Sequence, residues 1–166
     1  MILDLATTKT FLGITDAASD AELTIFMNVV EAAWYAEGFP GESRAEIEEL
    51  AGGKCVLTVH HRPVLAVTAI TEGWDAVAVD TTKVHVRKDA GTLTKRFGDF
   101  PEPVTVTYTW GFATVPANIK QALQLLVKHL WMTQRGGARK QSAEVELGAA
   151  YTWPNRVLEL AKPYIP

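Results

Sequence analysis

The sequence predicts an α+β protein: two main helices with short flanking helices, packed with a small, mostly antiparallel β-sheet. Two observations carry this prediction. Apolar residues recur at helical spacing over residues 20–37 and 116–135. Between these segments, residues 104–110 alternate Val, Tyr and Trp with Thr, which is typical of a half-buried strand, and we expect the strand over residues 103–110. A chain of 166 residues is long enough to bury a core, so we expect one domain over residues 1–166.

Two helices are predicted near the N-terminus. A short helix covers Thr8 to Leu12 and is closed by Gly13, a residue that readily ends helices. The longer helix begins at about Asp20, with Ser19 or Asp20 as its N-cap. It runs to about Glu37, because a Gly-Phe-Pro-Gly sequence follows.

The longer helix carries two apolar stripes. The first consists of Leu23, Phe26, Met27, Val30 and Trp34, and the second of Ile25, Val29, Ala32 and Ala36. Two stripes predict contact on two sides of the helix. The second side packs either within the fold or against a neighbouring copy of the chain.

Short strands are predicted through the middle of the chain. Residues 54–73 indicate two strands interrupted at Arg62-Pro63. Residues 42–53 fit either a helical turn or an acidic edge strand. Further strands are expected near residues 75–79, 83–87 and 92–97.

The second main helix is predicted over residues 116–135. Pro116 suits its first turn, and Gly136-Gly137 ends it. Its core stripe is Ile119, Ala122, Leu123, Leu126 and Leu130. Residues 136–153 are polar and rich in Gly and Ala, so we expect an extended arm there. A last short helix opens at Pro154 and ends at Pro163.

Charge is distributed unevenly along the chain, although its formal total is only −3. Residues 1–50 contain ten acidic against two basic side chains, a net charge of −8. Residues 115–140 contain five basic side chains and no acidic one, a net charge of +5. The basic segment could bind nucleic acid, or it could contact the acidic segment of another copy. We favour the second interpretation, because nucleic-acid-binding domains usually have a basic total.

No sequence motif indicates catalysis or metal binding. His60 and His61 are adjacent in a predicted strand and would point to opposite faces, which disfavours a shared metal ion. Cys55, the only cysteine, lies in the same apolar stretch and is expected to be a buried, inert thiol. Glu46, Glu48 and Glu49 are expected to be solvated or to face a partner. We therefore predict no enzyme activity, no metal and no cofactor.

Membrane insertion and secretion are not expected. No apolar run approaches the roughly 20 residues that span a bilayer. The N-terminal "MILDLATTKTFLG" lacks the basic and uninterrupted apolar regions of a signal peptide. Synthesis in a reducing compartment is expected.

The order of four segments resembles the head–tail connector (adaptor) family of long-tailed bacteriophages. These segments are "LATTKTFLGITDAASDAELTIFMNVVEAA", "LTVHHRPVLAVTAI", "VTVTYTWGFATVPANIKQALQLLVKHLW" and "PNRVLELAKPYIP". The third segment, a strand followed by glycine, an aromatic residue, proline and a helix, is the most specific of them. The four segments occur in the family's order and are distributed over nearly the whole chain.

The resemblance implies a structural protein of the virion neck, made in the cytoplasm of the host bacterium. Such a protein forms a ring, usually of twelve copies, beneath the portal protein. The ring extends the channel for genomic DNA, which passes without sequence specificity, and it docks the next neck, stopper or tail protein. The resemblance implies no catalysis or cofactor.

Three alternatives remain from sequence alone. A stopper or tail-completion protein is the nearest, but it would be expected to be rich in β-strands and to lack two long helices. A small nucleic-acid-binding regulator would use the basic residues 115–140. A small enzyme would need a set of converging polar groups that the sequence does not indicate.

Contacts with other copies or with neck partners are expected at nine residues. They are aromatic or basic side chains and two apolar positions of the predicted arm: Trp34, Arg135, Arg139, Lys140, Val145, Leu147, Tyr151, Trp153 and Tyr164. Ala143, Val145 and Leu147 alternate with polar residues, so this part of the arm could add a strand to a partner. We expect residues 138–152 to become ordered on assembly.

Overall fold

A computed structural model describes residues 1–135 and 153–164, with the backbone alone at residues 134 and 135. The chain divides into two compact units. The helical unit comprises residues 1–39 and the chain from Val115 onward, and the β unit comprises residues 40–114. The predicted α+β class is confirmed. The single domain over residues 1–166 stays a prediction, and the predicted arm lies almost wholly outside the described residues.

The first helix, α1, spans Leu5–Leu12 and is longer than predicted. It starts earlier because the Asp4 side chain accepts a hydrogen bond of 2.9 Å from the backbone N–H of Thr7, which caps the first turn. Gly13 ends it with a positive φ of 72°, as the sequence predicts. The expected start at Thr8 is therefore wrong by one turn.

The long helix α2 spans Asp20–Ala36, close to its predicted bounds. All five residues of its first apolar stripe are buried, so that stripe faces the core as expected. The second stripe is open: Ile25 is 62% exposed and Val29 is 52% exposed, and Ala32 and Ala36 are exposed as well. Residues 1–135 and 153–164 thus cover one side of α2 and leave the other side exposed.

Helix α3 spans Ala117–Arg135, and its core stripe is buried from Ile119 to Leu126. The rings of Phe26 on α2 and Trp131 on α3 meet edge to face with centroids 5.7 Å apart. Helix α4 spans Asn155–Ala161 and packs on α3, burying Val157.

A cluster of three aromatic rings lies in the helical unit. Trp34, which is 0% exposed, packs against Phe39 at 4.8 Å and Trp153 at 5.7 Å between ring centroids. Phe39 and Trp153 meet edge to face at 5.2 Å. The prediction that Trp34 is a core residue is confirmed.

The β unit contains seven strands in two antiparallel sheets. The four-stranded sheet has the order β1-β7-β3-β4, with β1 at Arg44–Leu50, β3 at Val64–Glu72, β4 at Val77–Ala78 and β7 at Val104–Trp110. The three-stranded sheet has the order β2-β6-β5, with β2 at Val56–Thr58, β5 at Val84–Arg87 and β6 at Thr92–Lys95. Of the two interpretations of residues 42–53, the edge strand is therefore correct.

Strand β7 shows the predicted alternation. Val104, Val106, Tyr108 and Trp110 are buried, and the three threonines between them are half-buried. Gly111 follows with a φ of 97°, and a Cβ placed there would lie 2.7 Å from the Glu42 carbonyl oxygen. Only glycine fits so close an approach of two backbone segments.

Two expectations about the strand region are wrong. Cys55 is exposed, because it lies in a bend one residue before β2 begins. His60 and His61 also lie in a bend, after β2, and not within a strand. The segment 54–73 does form two strands around Arg62-Pro63, but they belong to different sheets, which the sequence pattern did not indicate.

Replacing a fully buried tryptophan tests the assigned core. We expect Trp34→Ala to lower the free energy of unfolding by about 3–5 kcal/mol, because it leaves a large cavity. Ile25→Ala, on the open side of the same helix, should change it by less than about 0.5 kcal/mol. Urea denaturation followed by circular dichroism measures both. Equal effects of the two substitutions would contradict the assigned faces of α2.

Candidate interaction surfaces

The open side of α2 is an apolar surface that the described residues of the chain do not cover. We call Ile25, Val29, Ala32 and Ala36 the α2 face. They lie on one side of the helix because their spacings are four, three and four residues. Charged residues surround the face: residues 9–44 contain six Asp or Glu against Lys9 and Arg44, and the Lys9 ammonium pairs with the Asp20 carboxylate. An exposed apolar stripe with a charged surround is typical of a protein–protein contact.

A second exposed apolar surface lies on two turns of the β unit. Trp74, in the turn between β3 and β4, is 88% exposed, and Phe97, in the turn after β6, is 79% exposed. Arg96 is exposed beside Phe97. We call Trp74, Arg96 and Phe97 the aromatic tip. Aromatic and arginine side chains are the types most enriched in protein interfaces.

An ion pair brings the two turns of the aromatic tip to the same end of the β unit. Glu72, the last residue of β3, accepts hydrogen bonds of 2.6 and 2.9 Å from the Lys95 ammonium at the end of β6. Both side chains are more than four-fifths buried. Lys95 also donates to the Asp99 carbonyl at 3.1 Å and lies over the Phe100 ring. Trp74 lies two residues after Glu72, and Phe97 lies two residues after Lys95. The two turns therefore begin close to the same ion pair.

Three basic side chains lie on the side of the three-stranded sheet next to Arg96, and two of them are paired with acids. A shallow cleft of about 450 Å³ is lined by Thr82, Lys83, Val84, His85, Thr94, Lys95 and Arg96. Glu72 neutralises Lys95, and Asp80 lies 3.6 Å from the exposed Lys83 ammonium. Residues 72–99 as a whole contain five Lys or Arg and five Asp or Glu. The aromatic tip thus lies in a surround of mixed charge with no net excess.

Glu48 on β1 is held by two other segments of the β unit. The Tyr108 hydroxyl donates to one carboxylate oxygen at 2.9 Å, and the His60 backbone N–H donates at 3.1 Å. The Nδ1 of His60 lies 2.6 Å from the other oxygen. The hydroxyl of Tyr108 in turn accepts a 3.3 Å hydrogen bond from the backbone N–H of His61. This cluster fastens the bend at residues 60–61 to β1 and β7.

The cluster shifts the pKa values of two of its members. Partial burial alone would raise the pKa of the Glu48 carboxyl, but the hydrogen bonds from His60 and Tyr108 outweigh it and lower that pKa. Burial, reinforced by the hydrogen bond to Glu48, holds the pKa of the Tyr108 hydroxyl well above its usual range. The fold therefore favours an ionised Glu48 and a neutral Tyr108.

The two adjacent histidines have separate surroundings. The His60 side chain is 84% exposed and turns to Glu48. The His61 ring stacks on Trp110 with centroids 4.3 Å apart. Among the described residues, no group of three or more His, Cys, Asp or Glu is placed to hold a metal ion. No helix in the described part of the chain is both long and apolar enough to cross a membrane.

The structure describes three of the predicted contact side chains. Trp34 is completely buried, so its ring is a core side chain and offers no surface for the expected contact. Trp153 is half-buried against Trp34 and Phe39, and Tyr164 is half-buried in the 3-10 turn Lys162–Tyr164. The other six lie outside the described side chains: Arg135, Arg139, Lys140, Val145, Leu147 and Tyr151.

Sequence reasoning missed the aromatic tip. The available signal was a large aromatic residue beside glycine in a polar turn, as in "EGWDA" and "KRFGD". A turn with so few apolar neighbours cannot bury such a ring by itself.

Solved structures with the same fold come from the necks and virions of gene transfer agent (GTA) particles. A chain in the neck of an empty GTA particle, computed with C6 symmetry, has a TM-score of 0.67 and 20% identity, covering 98% of this chain and 89% of that chain. A chain in the virion of a native GTA particle has a TM-score of 0.66 and 22% identity, covering 98% and 89%. A chain in the neck of a native GTA particle, computed with C12 symmetry, has a TM-score of 0.63 and 21% identity, covering 98% and 88%.

These similarities establish a shared fold over nearly the whole length of both chains. The match includes helices and strands of both units, since it spans 98% of this chain. No family model matches the sequence, and no curated protein is significantly similar to it.

The pKa shift of Glu48 predicts an acid-sensitive contribution to stability. Because the pKa is lowered in the fold, the contribution is fully present above the ordinary value of 4.5 and is lost as pH falls through the folded value. We expect the difference in melting temperature between wild type and Glu48→Gln to shrink from about pH 6 to about pH 3.

Glu49→Gln is the matched control, since it removes one negative charge from an exposed position of the same strand. An effect of net charge alone would appear in both variants. A difference between wild type and Glu48→Gln that stays constant across this pH range would contradict the role given to the cluster.

Proposed function

We propose that this chain is a head–tail connector of a tailed, phage-like particle, a structural protein of the neck. The observation that carries the proposal is the shared fold with chains in GTA necks over 98% of its length. The resemblance of four sequence segments to the connector family supports the same conclusion. In this function the chain contributes surfaces for assembly and no catalysis.

The proposed assembly is a ring of twelve copies beneath the portal protein. The GTA necks with this fold were computed with C6 and C12 symmetry, which supports a cyclic arrangement here. In a cyclic ring each copy contacts its two neighbours through two different faces. The α2 face and the aromatic tip supply two different exposed apolar surfaces on one chain.

The ring would extend the channel for DNA and dock the next neck or tail protein. DNA must slide through such a channel, so contacts with its phosphates have to be weak and independent of sequence. The nearest alternative, a stopper or tail-completion protein, is disfavoured by α2 and α3, which contain 17 and 19 residues. A β-rich protein without long helices is expected for that alternative.

Assembly without the chain tests the proposal. Particles made without it are expected to be DNA-filled heads with no tails, and the purified chain added to these heads should restore tail attachment. Negative-stain microscopy counts tailed particles, and heads from the complete system serve as the reference. Normal attachment of tails in the absence of the chain would contradict a connector function.

Salt is expected to weaken assembly. The acidic residues 1–50 and the basic residues 115–140 attract each other between copies, and mobile ions screen exposed charges. We predict that ring formation or portal binding decreases as NaCl rises from about 0.05 to about 0.5 M. Light scattering and portal pull-down measure it. Binding that is unchanged or stronger at high salt would indicate a mainly apolar contact.

The free chain is expected to bind DNA only weakly and without sequence preference. Its total charge of −3 opposes association with phosphates, and a channel protein gains nothing from selecting a sequence. Filter binding at physiological salt, with random and genomic DNA as competitors, measures this. A nanomolar, sequence-selective complex would favour the nucleic-acid-binding regulator instead.

A further inference from the structure

We propose that one face of the three-stranded sheet is the surface that each copy turns towards the DNA in the channel, where it contacts the phosphate backbone. This inference rests on the proposed ring and adds which part of the β unit meets the DNA. The observation that carries it is that the charged side chains on this face are all basic.

Strand register places six side chains on the same face of this sheet. They form two rows, because residues that pair across strands point to the same side, as do residues two apart along a strand. Val56, Thr94 and His85 form the first row, and Thr58, Thr92 and Arg87 form the second. All six are exposed or half-buried, whereas Leu57 and Leu93, on the opposite face, are 5% and 0% exposed.

A third row of basic side chains continues the same face. Ladder hydrogen bonds extend to the strand ends: the Arg96 N–H donates to the Lys83 carbonyl at 3.0 Å, and the Lys95 N–H donates to the Cys55 carbonyl at 2.8 Å. This register places Arg96 between Lys83 and Lys54, and all three side chains are exposed. We call the nine residues of the three rows the outer sheet face.

The outer sheet face separates basic from acidic residues. Its nine positions contain four Lys or Arg and no Asp or Glu. The five acids of residues 72–99 lie instead at the end of β3 and in the connections between strands. One of them, Asp80, lies 3.6 Å from the Lys83 ammonium. Within residues 1–135 and 153–164, the guanidinium groups of Arg87 and Arg96 have no ion pair and no side-chain hydrogen bond, so they are available to an anion.

The side-chain types of the outer sheet face fit a phosphate backbone better than an acidic protein surface. Val56 is its only apolar member, whereas the centre of a protein–protein interface is apolar. Arginine, lysine and threonine all donate hydrogen bonds to phosphate oxygens in protein–DNA complexes. Interfaces with DNA are also more polar and more positively charged than interfaces between proteins.

The size of the outer sheet face suits weak, repeated contacts. Rows two residues apart are separated by about 7 Å, and neighbouring strands by about 5 Å, so the face measures about 14 by 10 Å. Such an area contacts only a few phosphates of a duplex. Each copy therefore holds the DNA weakly, and the contact is repeated around the ring, which is compatible with sliding.

Photo-cross-linking in DNA-filled heads tests which face meets the DNA. In a Cys55→Ser background, which removes the exposed native thiol, His85→Cys places a thiol on the outer sheet face. Ile47→Cys, on the four-stranded sheet, is the matched control, because Ile47 is 70% exposed. Each purified chain is labelled with a thiol-directed aryl azide, added to heads that lack the chain, and irradiated after tails attach. We expect DNA to become covalently bound to the His85→Cys chain and only background labelling from Ile47→Cys.

Three outcomes of this experiment would contradict the proposal in different ways. Tailed particles in which the His85→Cys chain is present but not joined to DNA, or in which both chains label DNA equally, would overturn the assigned face and leave the connector function intact. Cross-links from His85→Cys to the portal or to another neck protein would assign the face to that partner and also overturn it. Failure of the wild-type chain to restore tail attachment would instead contradict the proposed function, and the DNA contact with it.

A second measurement tests the charge of the face. Arg87→Gln with Arg96→Gln removes its two unpaired cations, and Lys120→Gln with Lys128→Gln removes the same charge from exposed positions of α3. Because each phosphate contact contributes about 0.9 to the dependence of log K on log salt, we expect the first pair to reduce that slope by about two. The second pair should leave it unchanged.

Fluorescence anisotropy with a short duplex of random sequence measures the slope for the purified chain between about 20 and 100 mM NaCl, where weak electrostatic binding is strongest. Unchanged melting temperatures show that both double variants fold. A larger reduction of the slope by the α3 substitutions, or no binding by the wild-type chain at the lowest salt, would overturn the proposal.

Discussion

The close approach of Gly111 to the Gly41–Glu42 backbone is the constraint on which the β unit depends. At this point the end of β7 meets the segment that leads into β1, and the Phe112 N–H donates to the Gly41 carbonyl at 2.9 Å. The Gly111 N–H donates to the Pro63 carbonyl on the other side, also at 2.9 Å. The central strand is therefore fastened to both of its neighbours at one end. From this end β1 pairs with β7 without a register shift, whereas β3 pairs with β7 through two shifts, between Val64 and Ala66 and between Val67 and Ala69.

Periodicity was sufficient to predict the elements whose burial is regular. The bounds of α2, α3 and β7 follow closely from their apolar spacing, because one side of each packs on a core. Features that depend on local hydrogen bonds were harder to predict from the sequence. The start of α1 depends on the Asp4 cap, and Cys55 and His60 lie in bends that interrupt an apolar stretch. The apolar residue types around Cys55 and His60 predicted a strand at both positions.

The surfaces were harder to predict than the fold, for two physical reasons. Composition does not show which of two apolar stripes the core will cover. The exposure of Ile25 and Val29 is therefore seen only in the structure. Contacts between distant residues have no local pattern either: Glu48 and Tyr108 are 60 residues apart, yet their hydrogen bond contributes to the pKa shifts of both. The prediction for Trp34 combined core and contact roles, and complete burial allows only the first.

The sequence of strand β1 disfavours pairing between the exposed sheet edges of two copies. It pairs with β7 on one side, and its other edge belongs to the outermost strand of the sheet. Unpaired strand edges can recruit one another, and the proposed ring would raise the local concentration of identical edges. The "AEIEEL" sequence would place carboxylates opposite carboxylates in most registers of such a pairing. Electrostatic repulsion between β1 strands therefore disfavours edge-to-edge stacking of copies into fibres. Apolar side chains elsewhere on the chain can then remain exposed for specific contacts.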